Sequence, residues 1–167
     1  MREHAFSMNE HMSTYLNDHL AGSVAGIEIA KHLEENAVDA DIRSALARVR
    51  SDIEADQDEL TALAKRLGVE QSGIRKAAAW IGEKAAELKL RFDDPSGGEF
   101  RTYEALEALS LGIEGKRCLW LALQSVSEGD PRIRKTDLKE LQRRAELQRA
   151  SVEELRLKIA KLAFTGE

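Results

Sequence analysis

Residues 39–68 read DADIRSALARVRSDIEADQDELTALAKRLG. Apolar side chains recur there at alternating spacings of three and four: Ile42, Leu46, Val49, Ile53, then Leu60, Leu63 and Leu67. That spacing gives an α-helix one continuous face to bury. A single slot of the face is charged, at Asp56. Asp39 stands where an N-cap carboxylate would take the first free backbone N–H groups. Gly68 stands where a helix closes in the left-handed conformation. The stretch therefore predicts a helix over 39–67 that carries one carboxylate into the core.

The same pattern extends outward in both directions. Helices are predicted over residues 8–35, 100–127 and 136–163, with a shorter one over 72–91. Asn36-Ala37-Val38 is a tight connection, so the first two helices form an antiparallel hairpin. Glu128-Gly129-Asp130-Pro131 ends the fourth segment, and Thr136 is read as the N-cap of the last. Asp93-Asp94-Pro95-Ser96-Gly97-Gly98 is the strongest loop signal in the chain. The long connection between the second and fourth segments is able to run the full height of a bundle, which makes those two helices parallel. The fold class expected is all-α: an up-down four-helix bundle with one long crossover carrying a shorter fifth helix, in a single domain over 1–167. Composition agrees. Of 167 residues, 43% are hydrophobic, 33% charged and only 5% aromatic, with two prolines, which leaves little material for a β-sandwich or barrel.

Each of the four long seams has one large polar interruption. In the second helix it is Asp56, and in the last it is Gln148, within Leu138, Leu141, Ala145, Gln148, Val152, Leu155, Ile159 and Leu162. The fourth segment reads Ala105, Leu109, Gly112, Lys116, Leu119, Leu123, Val126, interrupted at Lys116. The first reads Met12, Leu16, His19, Ser23, Gly26, Ala30, Leu33, interrupted at His19. Counting from the turns, His19 lies 18 residues before Ala37 and Asp56 lies 19 after it. Lys116 and Gln148 are likewise level across their own turn. His19, Asp56, Lys116 and Gln148 are thus expected to converge on one layer near mid-bundle. A buried Asp or Lys is costly unless paired, and these two carry opposite charges. Three readings stay open: a satisfied polar network that fixes register, a small-molecule or ion site in the same layer, or a different seam in which one or more of these side chains, His19 and Lys116 first, reaches solvent.

Several functions are disfavoured. The net charge is −5, and a general nucleic-acid binder would show a basic excess. Residues 131–161 do hold ten Lys/Arg against five Asp/Glu, densest at Arg132, Arg134, Lys135, Arg143 and Arg144; a solvated helix face is the expected use. Cys118, the single cysteine, sits in the run Cys118-Leu119-Trp120-Leu121-Ala122 and is expected to be a buried thiol. Trp120 is expected in the core. Trp80 stands beside the stripe of its helix, suited to cover a groove or to meet a second copy in a homodimer. No apolar run approaches the ~18 residues of a membrane span, and no secretory leader is evident, so a cytoplasmic protein is expected.

Tyr15-Leu16-Asn17-Asp18-His19-Leu20-Ala21-Gly22, Asp52-Ile53-Glu54-Ala55-Asp56 and Leu111-Gly112-Ile113-Glu114-Gly115-Lys116 resemble an uncharacterised bacterial group of the ferritin-like superfamily. The resemblance covers most of the chain. It implies a four-helix bundle, and in active members a dimetal centre held by Glu residues and two Glu-x-x-His motifs. This sequence departs from that pattern. Its four histidines (His4, His11, His19, His32) all fall in or before the first long helix, and no Glu-x-x-His occurs. Glu54-x-x-Gln57 and Glu146-x-x-Arg149 are the nearest matches, yet the inward i, i+3 slots are Ile53/Asp56 and Ala145/Gln148. Glu28, Glu107 and Glu114 fall on polar faces. His4 and His11, near Glu3 and Glu10, read as a polar chain end. The expectation is a ferritin-like protein without a metal or other cofactor, acting as a structural or protein-interaction module rather than an enzyme. The alternatives are a small-molecule-binding or catalytic bundle using the His/Asp/Lys layer, and a weakly metal-binding stress-related relative.

Overall fold

The computed structural model describes residues 2–69 and 98–166, with side chains from Glu10 onward. Every regular element among them is helical, and no strand occurs among the described residues. The helices are α1 (Arg2–Asn36), α2 (Ala40–Leu67), α3 (Gly98–Val126), α4 (Pro131–Arg134) and α5 (Leu138–Thr165), with a 3-10 turn at Ser127–Gly129 before α4. The predicted helix over 72–91, Trp80 and most of the predicted loop over 93–98 lie outside the described residues.

Local chemistry explains the ends. Asp39 Oδ1 accepts the backbone N–H groups of Asp41 and Ile42 at 2.8 and 3.0 Å, which starts α2. Gly68 ends it at φ 77°, a conformation that costs glycine little, with its N–H returned to the carbonyls of Ala64 and Lys65. The start of α5 differs from expectation. Asp137 is its N-cap, accepting from the Glu140 N–H at 3.1 Å. Thr136 is instead buried, and its hydroxyl takes the Arg66 guanidinium. The sequence reading also missed α4, a single turn that Asp130 caps and Pro131 opens. α1 starts six residues earlier than predicted, and α3 two residues earlier, at Gly98.

Two apolar clusters fix the order of the long helices. One joins Ile29 and Leu33 of α1, Leu46 and Val49 of α2, Leu106 and Leu109 of α3, and Val152 and Ile159 of α5. The other joins Leu16 and Leu20, Leu60 and Leu63, Leu119 and Leu123, and Leu138 and Leu141. The last turns of α1 and α5 thus share a level with the first turns of α2 and α3. α2 and α3 run one way, α1 and α5 the other. α1 packs most closely on α2 and α3 on α5, with α1 also meeting α3 and α2 meeting α5.

Three seam assignments are corrected. In α3 the buried line is Ala105, Leu106, Leu109, Ser110, Ile113, Leu119, Trp120 and Leu123, whereas Gly112 and Val126 are exposed. α3 faces both α1 and α5, so its buried arc is wider than one stripe and turned toward Leu106 and Trp120. That rotation carries Cys118 out of the core: its thiol is exposed, 3.8 Å from Glu114 Oε1. In α5, Leu162 is exposed, at the rim of a cleft that it shares with Leu33, Ile42 and Thr102. No helix among the described residues is long and apolar enough to cross a membrane.

Gly22 sits inside α1, exposed, and a Cβ added there meets nothing within 4 Å. A mid-helix glycine costs about 0.5–1 kcal/mol relative to alanine. Gly22→Ala is therefore expected to stabilise the fold by about that amount in urea titrations. A loss of stability would mean that α1 and α3 approach more closely at this level than described above.

Candidate functional site

Asp56 projects from the middle of α2 toward α3 and α5 and is 1% exposed. Lys116 of α3 meets it, Nζ to Oδ2, at 2.6 Å. Gln148 of α5 completes a triangle: its Nε2 donates to the same Asp56 oxygen at 2.9 Å, and its Oε1 accepts from Lys116 Nζ. The three residues that interrupt the seams of α2, α3 and α5 are thus brought together as predicted. Gln148 suits the position because an amide both donates and accepts, so it bridges a carboxylate and an ammonium at once.

A fourth member was missed. Arg144 Nη2 lies 2.8 Å from Asp56 Oδ1, as an ion pair that lacks hydrogen-bond geometry, and 3.4 Å from the Asp52 carbonyl oxygen. The sequence reading placed Arg144 on a solvated basic face. Its neighbour Arg143 does pair with Glu140 on the surface. Arg144, however, precedes Gln148 by four residues and so shares its face of α5. That spacing was the available signal.

His19 stands apart from this network. No hydrogen bond joins it to Asp56, Lys116 or Gln148 among the described residues. It packs edge-to-face on Tyr15, ring centroids 4.6 Å apart. Burial lowers the imidazole pKa, partly opposed by Asp18. A polar bridge between α1 and α2 is made one turn further on, where Gln57 Nε2 donates to Ser23 Oγ at 2.8 Å and Ser23 donates to the Leu20 carbonyl; Arg50 of α2 makes another with Glu34 of α1 at 2.8 Å. Burial also lowers the pKa of Lys116, with Asp56 pulling it back up.

What His19 does share with Asp56 and Lys116 is a cavity of about 190 Å³ between α1, α2 and α3. Gly22 and Gly26 of α1 and Gly112 of α3 line it, and no atom would obstruct a Cβ on any of them within 4 Å. Its remaining wall is mostly apolar, from Ile53, Leu60, Leu119 and Trp120 among others. Trp120 is fully buried, and its indole Nε1–H has no hydrogen-bond partner. A donor so orphaned costs about 1–3 kcal/mol. His19, Ser23, Asp56, Gln57 and Lys116 supply the polar part of the lining. No α5 residue lines the cavity, so the ion cluster stands between it and that helix.

The carboxylates a dimetal centre would require are placed elsewhere. Glu54 pairs with Arg50 at 2.8 Å, Glu114 with Arg117 at 2.7 Å, and Glu28 and Glu107 are exposed. No group of three or more His, Cys, Asp or Glu side chains able to hold a metal ion occurs among the described residues. Comparison with protein-family models, with curated proteins and with solved structures finds no match to this chain.

Two outcomes are expected. Asp56→Ala strands both Lys116 and Arg144 and should cost about 3–5 kcal/mol by urea denaturation, of which Lys116→Met in the same chain should restore part. Equal losses in the single and double variants would contradict a coupled pair. His19 titrates below its unfolded value of 6.5, so the unfolded chain binds its proton first on acidification. Its contribution is complete above pH 6.5 and is lost as pH falls through the folded pKa. His19→Gln should flatten the stability profile below pH 6.5, and an unchanged slope would assign that window to other groups.

Proposed function

We propose that this chain is a ferritin-like four-helix bundle that binds a small organic molecule, with a charged layer and a cavity standing where active relatives carry two metals. The helix directions support the bundle reading: α2 parallel to α3, α1 parallel to α5, and a long connection between α2 and α3. This is the order of bundles with one long crossover. The inward slots Ile53/Asp56 and Ala145/Gln148 support a centre without metal ligands.

The cavity carries the ligand reading. A purely structural polar layer needs no space beside it, and close packing would remove such space. Here three helix glycines leave it open, despite the cost of glycine in a helix. An apolar cavity of about 150 Å³ is enough to admit benzene, so the space at Gly26 suits one ring-sized group. The lining fits the usual make-up of small-molecule sites, an apolar wall with a few converging polar groups.

Thermal denaturation in the presence of benzyl alcohol tests this. At about ten times its dissociation constant a ligand stabilises by about 1.4 kcal/mol, a rise in Tm of about 3–5 °C for a chain of this size. Gly26→Leu, which fills the cavity from the α1 side, should remove the shift. No stabilisation of the natural chain by ring-sized compounds, or an equal shift in Gly26→Leu, would contradict the reading.

A further inference from the structure

The charge of the layer points to the kind of ligand, on the footing that the cavity binds one. Among the described residues Asp56 is the one buried carboxylate, in contact with two cations, Lys116 and Arg144. The cluster of Asp56, Lys116 and Arg144 carries a formal charge of +1, and His19 stands outside it. Asp52 acts on Lys116 through space, Asp18 on His19 and Glu140 on Arg144, but Asp52 and Asp18 are exposed and the Glu140 side chain is 43% exposed, where water and salt screen them. Two residues of the cavity lining also carry an unspent donor. The Trp120 N–H has no partner. Lys116 Nζ has three protons and gives two of them to Asp56 and Gln148. The described residues thus offer donors, a surplus positive charge and an apolar space, with no second buried carboxylate to balance them.

We propose that the cavity takes a small monocarboxylate with an aromatic or branched apolar body. Its carboxylate sits against Lys116 and the Trp120 N–H, and its body fills the space that Gly22, Gly26 and Gly112 leave open. The bound anion neutralises the cluster, and each of its oxygens gains a donor. Charge-assisted hydrogen bonds are about twice as strong as neutral ones, and more so away from water. A neutral molecule of the same shape satisfies the indole N–H but leaves the surplus charge. A cation is repelled by it.

Calorimetric titration of the full chain with benzoate, benzyl alcohol and benzylamine separates the possibilities. Benzoate should bind at least about tenfold more tightly than benzyl alcohol, the worth of one charged hydrogen bond, and benzylamine should bind most weakly. Lys116→Met removes one cation and one donor, so the preference for benzoate should vanish while benzyl alcohol still binds. Arg144→Gln cancels the surplus charge from outside the cavity and should also reduce the preference; being more exposed, it provides a second test should Lys116→Met fail to fold. Equal affinity for benzoate and benzyl alcohol overturns the carboxylate assignment but leaves the cavity as a binding site. No binding by any of the three overturns both.

Discussion

The structure depends on a carboxylate that water cannot reach. Asp56 is 1% exposed in the middle of α2, and an unpaired charge there would be prohibitive. It is tolerated because α3 brings Lys116 and α5 brings Arg144 and Gln148 to its two oxygens. Those contacts require α2, α3 and α5 to hold one relative height, since a slip of one turn, about 5.4 Å, breaks every one of them. Apolar contacts above and below are far less selective about register. A buried polar cluster is weak evidence for net stability, and fixing which surfaces meet is its best-attested use.

α1 is the helix left out of this arrangement. It contributes no hydrogen bond to the cluster, and its own polar contacts with α2 are the Ser23–Gln57 bond and the Glu34–Arg50 ion pair. Across from Lys116 and Trp120 it presents Gly22, Ser23 and Gly26 rather than bulky side chains. The cavity follows from that asymmetry: three helices are drawn together by charge, and between His19 and Ile29 the fourth faces them with small residues. The proposed ligand occupies the gap between the charged side of the bundle and the small-residue side.

The second and last long helices were legible almost residue by residue. Ile42 to Leu67 and Leu138 to Ile159 each face one core direction, so a strict 3-4 spacing suffices. The level of Asp56, Lys116 and Gln148 was legible too, because helix rise and short turns leave little freedom in counting. α3 was harder, since it buries a broad arc against two neighbours and no single stripe describes it; Cys118 was misplaced for that reason. Arg144 escaped notice because arginine is ordinarily a surface residue. Only the demand of Asp56 Oδ1 for a second cation reveals its role, and that is a property of three dimensions. The cavity was equally hidden: Gly26 in a seam reads as close packing, and only coordinates distinguish a small residue that lets helices touch from one that leaves a void.

An intact ion cluster with open space beside it is the central feature of the bundle. A crystal structure of the protein under xenon pressure examines both at once. Xenon density between Gly26 and Trp120, with Asp56 within ion-pair distance of both Lys116 and Arg144, is the predicted result. A cavity collapsed or empty of xenon, or a Lys116 ammonium turned out to solvent, would contradict it.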